Sequence, residues 1–213
     1  MITTEDQDAL FRLISSYLKK DIVCYAFGGN AMMYYGYKSA TKDIDLIFER
    51  REDAAEFVRA IISLGYKKMS AVQVYPEELS KESGKPEMYT RGDERFDIFV
   101  GSVFRTKLSE GMKKRFYARH DYISDKFTLT VFVLGKEDII FLKSITRRER
   151  DFGDIIVIVK SESKIDWDII IEEAISQSKQ GDSWAIVDLE EAMQRLKEIS
   201  FIPKRHFEKL YRK

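Results

Sequence analysis

The sequence predicts an α/β protein, a mixed twisted sheet with flanking helices followed by a helical C-terminal part. Three observations carry this reading. Short apolar runs of strand length at 22–27, 43–48 and 127–133 are separated by longer stretches with apolar residues at helical spacing. From Lys136 onward the strand-like alternation stops and only the helical period continues. The 213 residues are 44% hydrophobic and 34% charged, the make-up of a globular chain long enough to bury a core without disulfide staples. The expected organisation is an α/β core over residues 1–135 and a helical region over 136–213 packing on that core.

Each element has a local reason. Thr4 and Gln7 have capping-box spacing, and Leu10, Leu13, Ile14, Tyr17 and Leu18 follow at helical intervals. The run 22–27 stops at Gly28-Gly29, as a buried strand ending in a tight turn would, and Asn30 is placed to cap a short helix over 30–35. A loop over 36–42 leads to the strand 43–48. Residues 52–64 form an amphipathic helix closed by Gly65. A strand is predicted at 69–75, a polar loop at 76–86, and two strand pieces within 88–100 around the turn Arg91-Gly92-Asp93-Glu94. Residues 107–118 read either as a short helix or as an irregular arm, and 127–133 as a strand. Helices are predicted at 138–146, 152–159, 167–178, 184–199 and 204–213, punctuated by Gly181 and Pro203.

Composition excludes several functions. Thirty-six basic residues balance 36 acidic ones, so no overall field draws the chain to nucleic acid or an anionic membrane. The longest charge-free stretch, 22–37, is shorter than the roughly 20 residues of a spanning helix. The N-terminus lacks signal-peptide features, and a cytoplasmic location is expected. Cys24 is the only cysteine and His120 and His206 the only histidines, too few for a zinc cluster, so Cys24 reads as a small core residue.

The chemistry concentrates on three aspartates. Asp43 and Asp45 lie two apart on a predicted strand, so their side chains share a face and are spaced to hold one cation. The spacing alone means little, because Asp6/Asp8 and Asp166/Asp168 have it too, at predicted helix starts that favour carboxylates. What distinguishes the second pair is its setting. Gly28-Gly29 precedes it at a strand-to-helix turn that would let a phosphate approach the backbone, and Lys38, Ser39, Thr41 and Lys42 lie in the loop between. Asp97, between apolar neighbours on another predicted strand, needs either a metal or an ion pair with Arg91 or Arg95. A catalytic site requires all three carboxylates to meet in one pocket beside the diglycine turn; Asp97 on the opposite side of the sheet, or tied up in a buried ion pair, would sink the enzymatic reading and leave only the architecture.

The run Phe27-Gly28-Gly29-Asn30-Ala31, then Lys38-Ser-Ala-Thr41-Lys42-Asp43-Ile-Asp45-Leu, then Phe96-Asp97-Ile98 resembles the nucleotidyltransferase (DNA polymerase beta-like) superfamily, in its branch with AbiEii-type abortive-infection toxins and related bacterial and archaeal proteins. Downstream, Glu137-Asp138 through Lys143, then Arg148 to Asp154, resembles that branch's C-terminal motif. The resemblance spans most of residues 25–160. It implies a Mg2+-dependent enzyme moving a nucleoside monophosphate from a nucleoside triphosphate (NTP) to a hydroxyl. Asp43, Asp45 and Asp97 would hold two magnesium ions, with Asp97 also a candidate base. Gly28, Gly29, Asn30, Thr41 and Lys42 would meet the nucleotide, while Lys143 would counter phosphate charge, oriented by Asp151 or Asp154. The acceptor would be an RNA end, such as that of a tRNA, or a small molecule, and an antitoxin-like protein would be a partner. Many members carry Ser or Thr where this chain has Asn30. That departure raises an alternative, a non-catalytic nucleotide-binding or interaction module on the same fold; a phosphohydrolase using the same carboxylates is a third reading.

The stretch Lys113-Lys114-Arg115-Phe116-Tyr117 with Arg119 mixes charge and rings as single-strand binders do, but a solvated face explains it more simply. Trp167 and Trp184 read as core anchors of the helical tail.

Overall fold

A computed structural model of the chain describes residues 1–70, 74, 81–82, 84–124 and 126–211. The chain divides into two compact units, Met1–Leu134 and Gly135–Lys213.

The first unit opens with α1 (Thr4–Ser16), β1 (Ile22–Phe27), α2 (Gly28–Tyr34), β2 (Asp43–Phe48) and α3 (Arg51–Ser63). It continues through β3 (Lys67–Met69), β4 (Glu87–Arg91), β5 (Glu94–Val100), the small hairpin of β6 (Ser102–Val103) and β7 (Thr106–Lys107), α4 (Glu110–Lys114), β8 (Ala118–Ile123) and β9 (Thr128–Val133). Seven of these strands form one mixed sheet in the order β3-β4-β5-β2-β1-β9-β8. β2 runs parallel to β5, and β1 parallel to β9. The other neighbours are antiparallel.

Alternation along the strands divides the sheet into two faces. Ile44, Leu46 and Phe48 of β2 and Phe96 and Ile98 of β5 form one, all of them buried. That face meets α3, whose Phe57 ring centroid lies 5.3 Å from those of both Phe48 and Phe96. α1 packs against α3, β8 and β9, and buries Phe11 and Ile14 completely. The opposite face carries Tyr25, Phe27, Phe99 and Phe132, with Tyr25 stacked on Phe132 at 5.4 Å and Phe27 edge-on to Phe99 at 5.3 Å. Burying these large rings supplies much of the hydrophobic stabilisation, at roughly 25 cal/mol per Å² removed from water.

The second unit is helical: α5 (Lys136–Ser144), α6 (Glu149–Ser161), α7 (Trp167–Lys179), α8 (Ala185–Leu196) and α9 (Lys204–Leu210). α5 packs on α6 and α7, and α7 on α8 and α9. Ile140, Ile158, Ile170, Ala174, Leu189 and Met193 form its interior. Asp166 caps α7 by accepting from Asp168 N and Ile169 N, as its position in the sequence suggests. Among the described residues no helix is long and apolar enough to cross a membrane.

Several local expectations need correction. The capping box sits one residue earlier, on Thr3 and Asp6, where Thr3 Oγ1 accepts from Asp6 N and the Asp6 carboxylate accepts from Thr3 N. The acid wins because its charge also suits the helix start; Gln7 is buried instead. Asn30 does not cap α2, which already begins at Gly28. The predicted strand 69–75 is observed as Lys67–Met69; most of 71–80 lies outside the described residues. The 107–118 segment resolves into α4 followed by the start of β8, a strand the pattern did not announce. Trp167 is buried, but Trp184 is 48% exposed and lies beneath the Arg147 guanidinium at 4.8 Å.

Candidate functional site

In the β2–β5 register Asp43 stands opposite Arg95 and Asp45 opposite Asp97. Side chains at i and i+2 share a face, so these four residues form a square on the side of the sheet away from α3. The one-face requirement is therefore met. Phe27, the last residue of β1, is the partner of Asp45 on the other side, so the chain leaves β1 for Gly28 beside the carboxylates.

Arg95 holds the square together. Its guanidinium lies 2.7 Å from Asp43 Oδ2 and donates from Nε to Asp97 Oδ1 at 2.7 Å and from Nη2 to Asp97 Oδ2 at 3.3 Å. Asp97 is completely buried, and the Arg95 side chain is 14% exposed. Of the two outcomes open to Asp97, the structure has the ion pair with Arg95. Burial works against the Arg95 charge, but Asp97, Asp43 and Asp45 outweigh it and raise its pKa above the ordinary arginine value.

The two glycines are required by close approach. A Cβ on Gly28, which has φ +65°, would fall 2.0 Å from Asp45 Oδ2, and one on Gly29 would fall 2.7 Å from Thr41 Oγ1. The space in which a Cβ would lie at these two positions is thus taken by Asp45 and Thr41. The Lys38 ammonium also approaches Gly29, 4.0 Å from that Cβ position. Thr41 is tied into the start of β2, its Oγ1 donating to Asp43 O at 3.2 Å, while an isolated bridge joins its backbone to Ile2. Lys42 is exposed. Asn30, fully buried, accepts from Asp45 N through Oδ1 at 3.0 Å, which fixes the orientation of its amide; among the described residues Nδ2 has no hydrogen-bond partner. Asn30 therefore positions the backbone of Asp45, a role no sequence motif signals.

The donor set suits a hard divalent cation, since all three side chains are carboxylates. Among the described residues, however, no group of three or more His, Cys, Asp or Glu side chains is arranged to hold a metal ion. The guanidinium of Arg95 already binds two of the three carboxylates. Asp97, expected to hold metal, has both of its carboxylate oxygens on Arg95 here.

The second unit contains the other predicted cluster. Lys143, 6% exposed, donates to Asp151 Oδ1 at 3.1 Å and to Asp154 Oδ2 at 2.6 Å, so both aspartates hold it. Asp151 Oδ2 accepts from Thr146 Oγ1 and Arg148 Nε, each at 2.6 Å. Burial pushes the Asp151 carboxyl up, but Lys143, Arg148 and Thr146 outweigh it and bring it down to about 2.

In the basic aromatic stretch Lys113 pairs with Glu49 and Glu110, and Arg119 with Asp121, so much of its charge is matched locally. The pattern did not reveal that Tyr117 stacks on Tyr35 at 3.9 Å and Tyr35 on Tyr37 at 5.0 Å.

No protein-family model matches the chain. No curated protein matches it either. Among solved structures, the solution structure of the antibiotic-resistance factor ANT(2'')-Ia is similar at TM-score 0.47 and 15% identity, over 81% of this chain and 89% of that one. A crystal structure of ANT(2'')-Ia in complex with adenylyl-2''-tobramycin is similar at TM-score 0.42 and 14% identity, over 82% of this chain and 88% of that one. At these levels the chemistry has to be argued from the chain's own side chains.

Proposed function

We propose that the chain is a divalent-cation-dependent nucleotidyltransferase, transferring a nucleoside monophosphate from an NTP to a hydroxyl acceptor. The observation that supports this best is the square itself: three carboxylates on one sheet face, in register on adjacent strands, beside a diglycine turn. Asp43 and Asp45, with Asp97 next to them, are the residues to hold the cation, with Mg2+ its most natural identity given an all-oxygen set. Bound there, a cation would neutralise phosphate charge and favour deprotonation of an attacking hydroxyl.

The protein's own part is positioning. Asn30 fixes the Asp45 backbone, Thr41 fixes the start of β2, and Gly28 admits the Asp45 carboxylate. Lys38 supplies positive charge beside the turn. Phe27, opposite Asp45 in the strand register, and Phe99, two residues beyond Asp97, put a pair of packed rings on the same face of the sheet. Acceptors compatible with this reading are an RNA end and a small-molecule hydroxyl.

The Arg95 pairing favours a second reading, a nucleotide-binding module without turnover, because two of the three carboxylates are already engaged by an arginine. Incubation with Mg2+, each α-labelled NTP and total RNA or cell extract separates the two. Label transferred to an acceptor, and lost in folded Asp43→Ala and Asp45→Ala proteins, supports the enzyme. Nucleotide binding with no transfer supports the module, and release of phosphate rather than pyrophosphate supports a hydrolase.

A further inference from the structure

We propose that Tyr117, Tyr35 and Tyr37, with Phe116 at their side, form a stacking surface for an unpaired polynucleotide strand. Binding at this surface needs neither the carboxylates of the square nor a cation.

The three tyrosine rings are close to parallel. Tyr35 lies 3.9 Å from Tyr117 with 22° between the ring planes, and 5.0 Å from Tyr37 with 5° between them. The rings come from two separated segments, the end of α2 and the residues just before β8, so the fold and not sequence adjacency brings Tyr117 to the other two. They do not form a core. Tyr117 is 55% and Phe116 42% exposed, while Tyr35 and Tyr37 are half-buried. Large rings kept together at the surface mark a place where a partner with a π-face gains by covering them. Tyr35 is anchored there, its hydroxyl donating to Leu134 O at 3.2 Å. Leu134 N in turn donates to Ala26 O, one residue before Phe27, the register partner of Asp45. The stack therefore stands at the carboxylate end of the sheet. Phe116 extends it by packing on Phe132 at 4.7 Å, and the Arg119 guanidinium lies 5.8 Å from the same ring.

Cations are interleaved with these rings. Lys114 and Arg119 are exposed on either side of Phe116 and Tyr117, and Lys38 follows Tyr37. Alternating rings and cations suit alternating bases and phosphates, because every base has a π-face and a lysine meets phosphate as a point charge. A duplex, whose bases already cover one another, offers these rings no face. Lys113 and Arg119 are matched by Glu49, Glu110 and Asp121, so stacking carries most of the binding and few phosphates are neutralised. The salt dependence follows: log K should fall with log[salt] at a slope no steeper than about −2.

Fluorescence anisotropy of labelled oligo(A) and oligo(U) RNA, the matching DNA strands and a DNA duplex tests this on the full chain, without NTP or divalent cation. Wild type is expected to bind single strands with Kd below roughly 100 μM, and the duplex about tenfold more weakly or worse. The RNA and DNA arms identify which strand is preferred. Tyr117→Leu, which keeps apolar bulk but loses the ring, should weaken binding about tenfold, and Phe116→Leu should weaken it as well, whereas Tyr117→Phe should bind as wild type does. Tyr17→Leu, at an exposed tyrosine after α1, is the control and should change nothing. Duplex bound as tightly as single strands, or a steep salt slope with Tyr117→Leu unaffected, would overturn the proposal in favour of a purely electrostatic contact. Absence of saturable binding would overturn it too, as would a Tyr117→Leu effect confined to self-association in sedimentation, which would make the occupant a second copy of the chain. Label transfer is read separately, so the transferase reading and this surface can fail independently.

Discussion

Asp45 and Asp97 stand directly opposite each other on two parallel strands. Like charges in that position are destabilising unless something compensates them. Arg95, two residues before Asp97 and therefore on the same face, does so while also reaching Asp43. One guanidinium thus bridges the two strands at the candidate site.

Replacing Arg95 with Ala is expected to destabilise the first unit by about 3–5 kcal/mol, the usual cost of leaving one partner of a buried ion pair alone. The Arg95→Ala/Asp97→Ala double variant should recover much of that loss, because the stranded charge is gone as well. Urea denaturation of the four proteins in the cycle measures the coupling. A loss below about 1 kcal/mol for Arg95→Ala would show that the carboxylates do not rely on it.

Two glycines of similar backbone geometry are expected to respond differently to alanine. Gly28 and Gly36 have φ of +65° and +76°, so either substitution carries the left-handed cost of about 1–2 kcal/mol. At Gly36 a Cβ meets nothing within 4 Å among the described residues, and that cost is the whole effect. At Gly28 the Asp45 carboxylate must also move, so the destabilisation should be about twice as large or more and label transfer should fall with it. Equal losses at the two positions would mean that Asp45 yields freely.

The sequence makes the central strands and the three aspartates legible, but not how they are paired. β1 and β2 are visible as apolar runs, and β5 follows the Arg91 to Glu94 turn, because half-buried strands impose their period on the residues. That Asp45 lies opposite Asp97 rather than two residues away is a matter of register between strands some fifty positions apart, which packing of Phe48, Phe57 and Phe96 decides. β8 was hidden for another reason. It is an edge strand whose outward residues, Arg119 and Asp121, are charged, and such residues protect an edge while erasing the apolar signal. Asn30 resembles a helix cap by residue type, yet its amide is spent on the neighbouring strand.

Asn30→Ala is expected to cost about 1–3 kcal/mol, because Asp45 N loses its acceptor in a largely enclosed position. Asn30→Asp should keep that hydrogen bond while adding a negative charge close to Asp45, and so fall between wild type and alanine in thermal stability only if the acceptor outweighs the repulsion. Thermal melts of both variants check this. An Asn30→Ala protein as stable as wild type would remove Asn30 from the positioning role.

The Lys143 cluster makes a pH prediction with a definite sign. Asp151 has its carboxyl lowered from 3.8 to about 2, so the folded state binds this proton less readily than the unfolded chain does. A depressed carboxylate contributes stability that is fully present above its unfolded value and is lost as pH falls through the folded one. Between pH 4 and 2, therefore, the second unit should lose roughly 2 kcal/mol through this group, while above pH 5 the contribution should be flat. Asp151→Asn removes the titrating group and should flatten that part of the profile while lowering stability at neutral pH, since Lys143 and Arg148 lose a charged acceptor. Unfolding free energies of wild type and Asp151→Asn, measured across pH 2–7, decide the matter. Parallel curves would mean that the low-pH loss comes from other carboxylates and that Lys143 is held chiefly by Asp154.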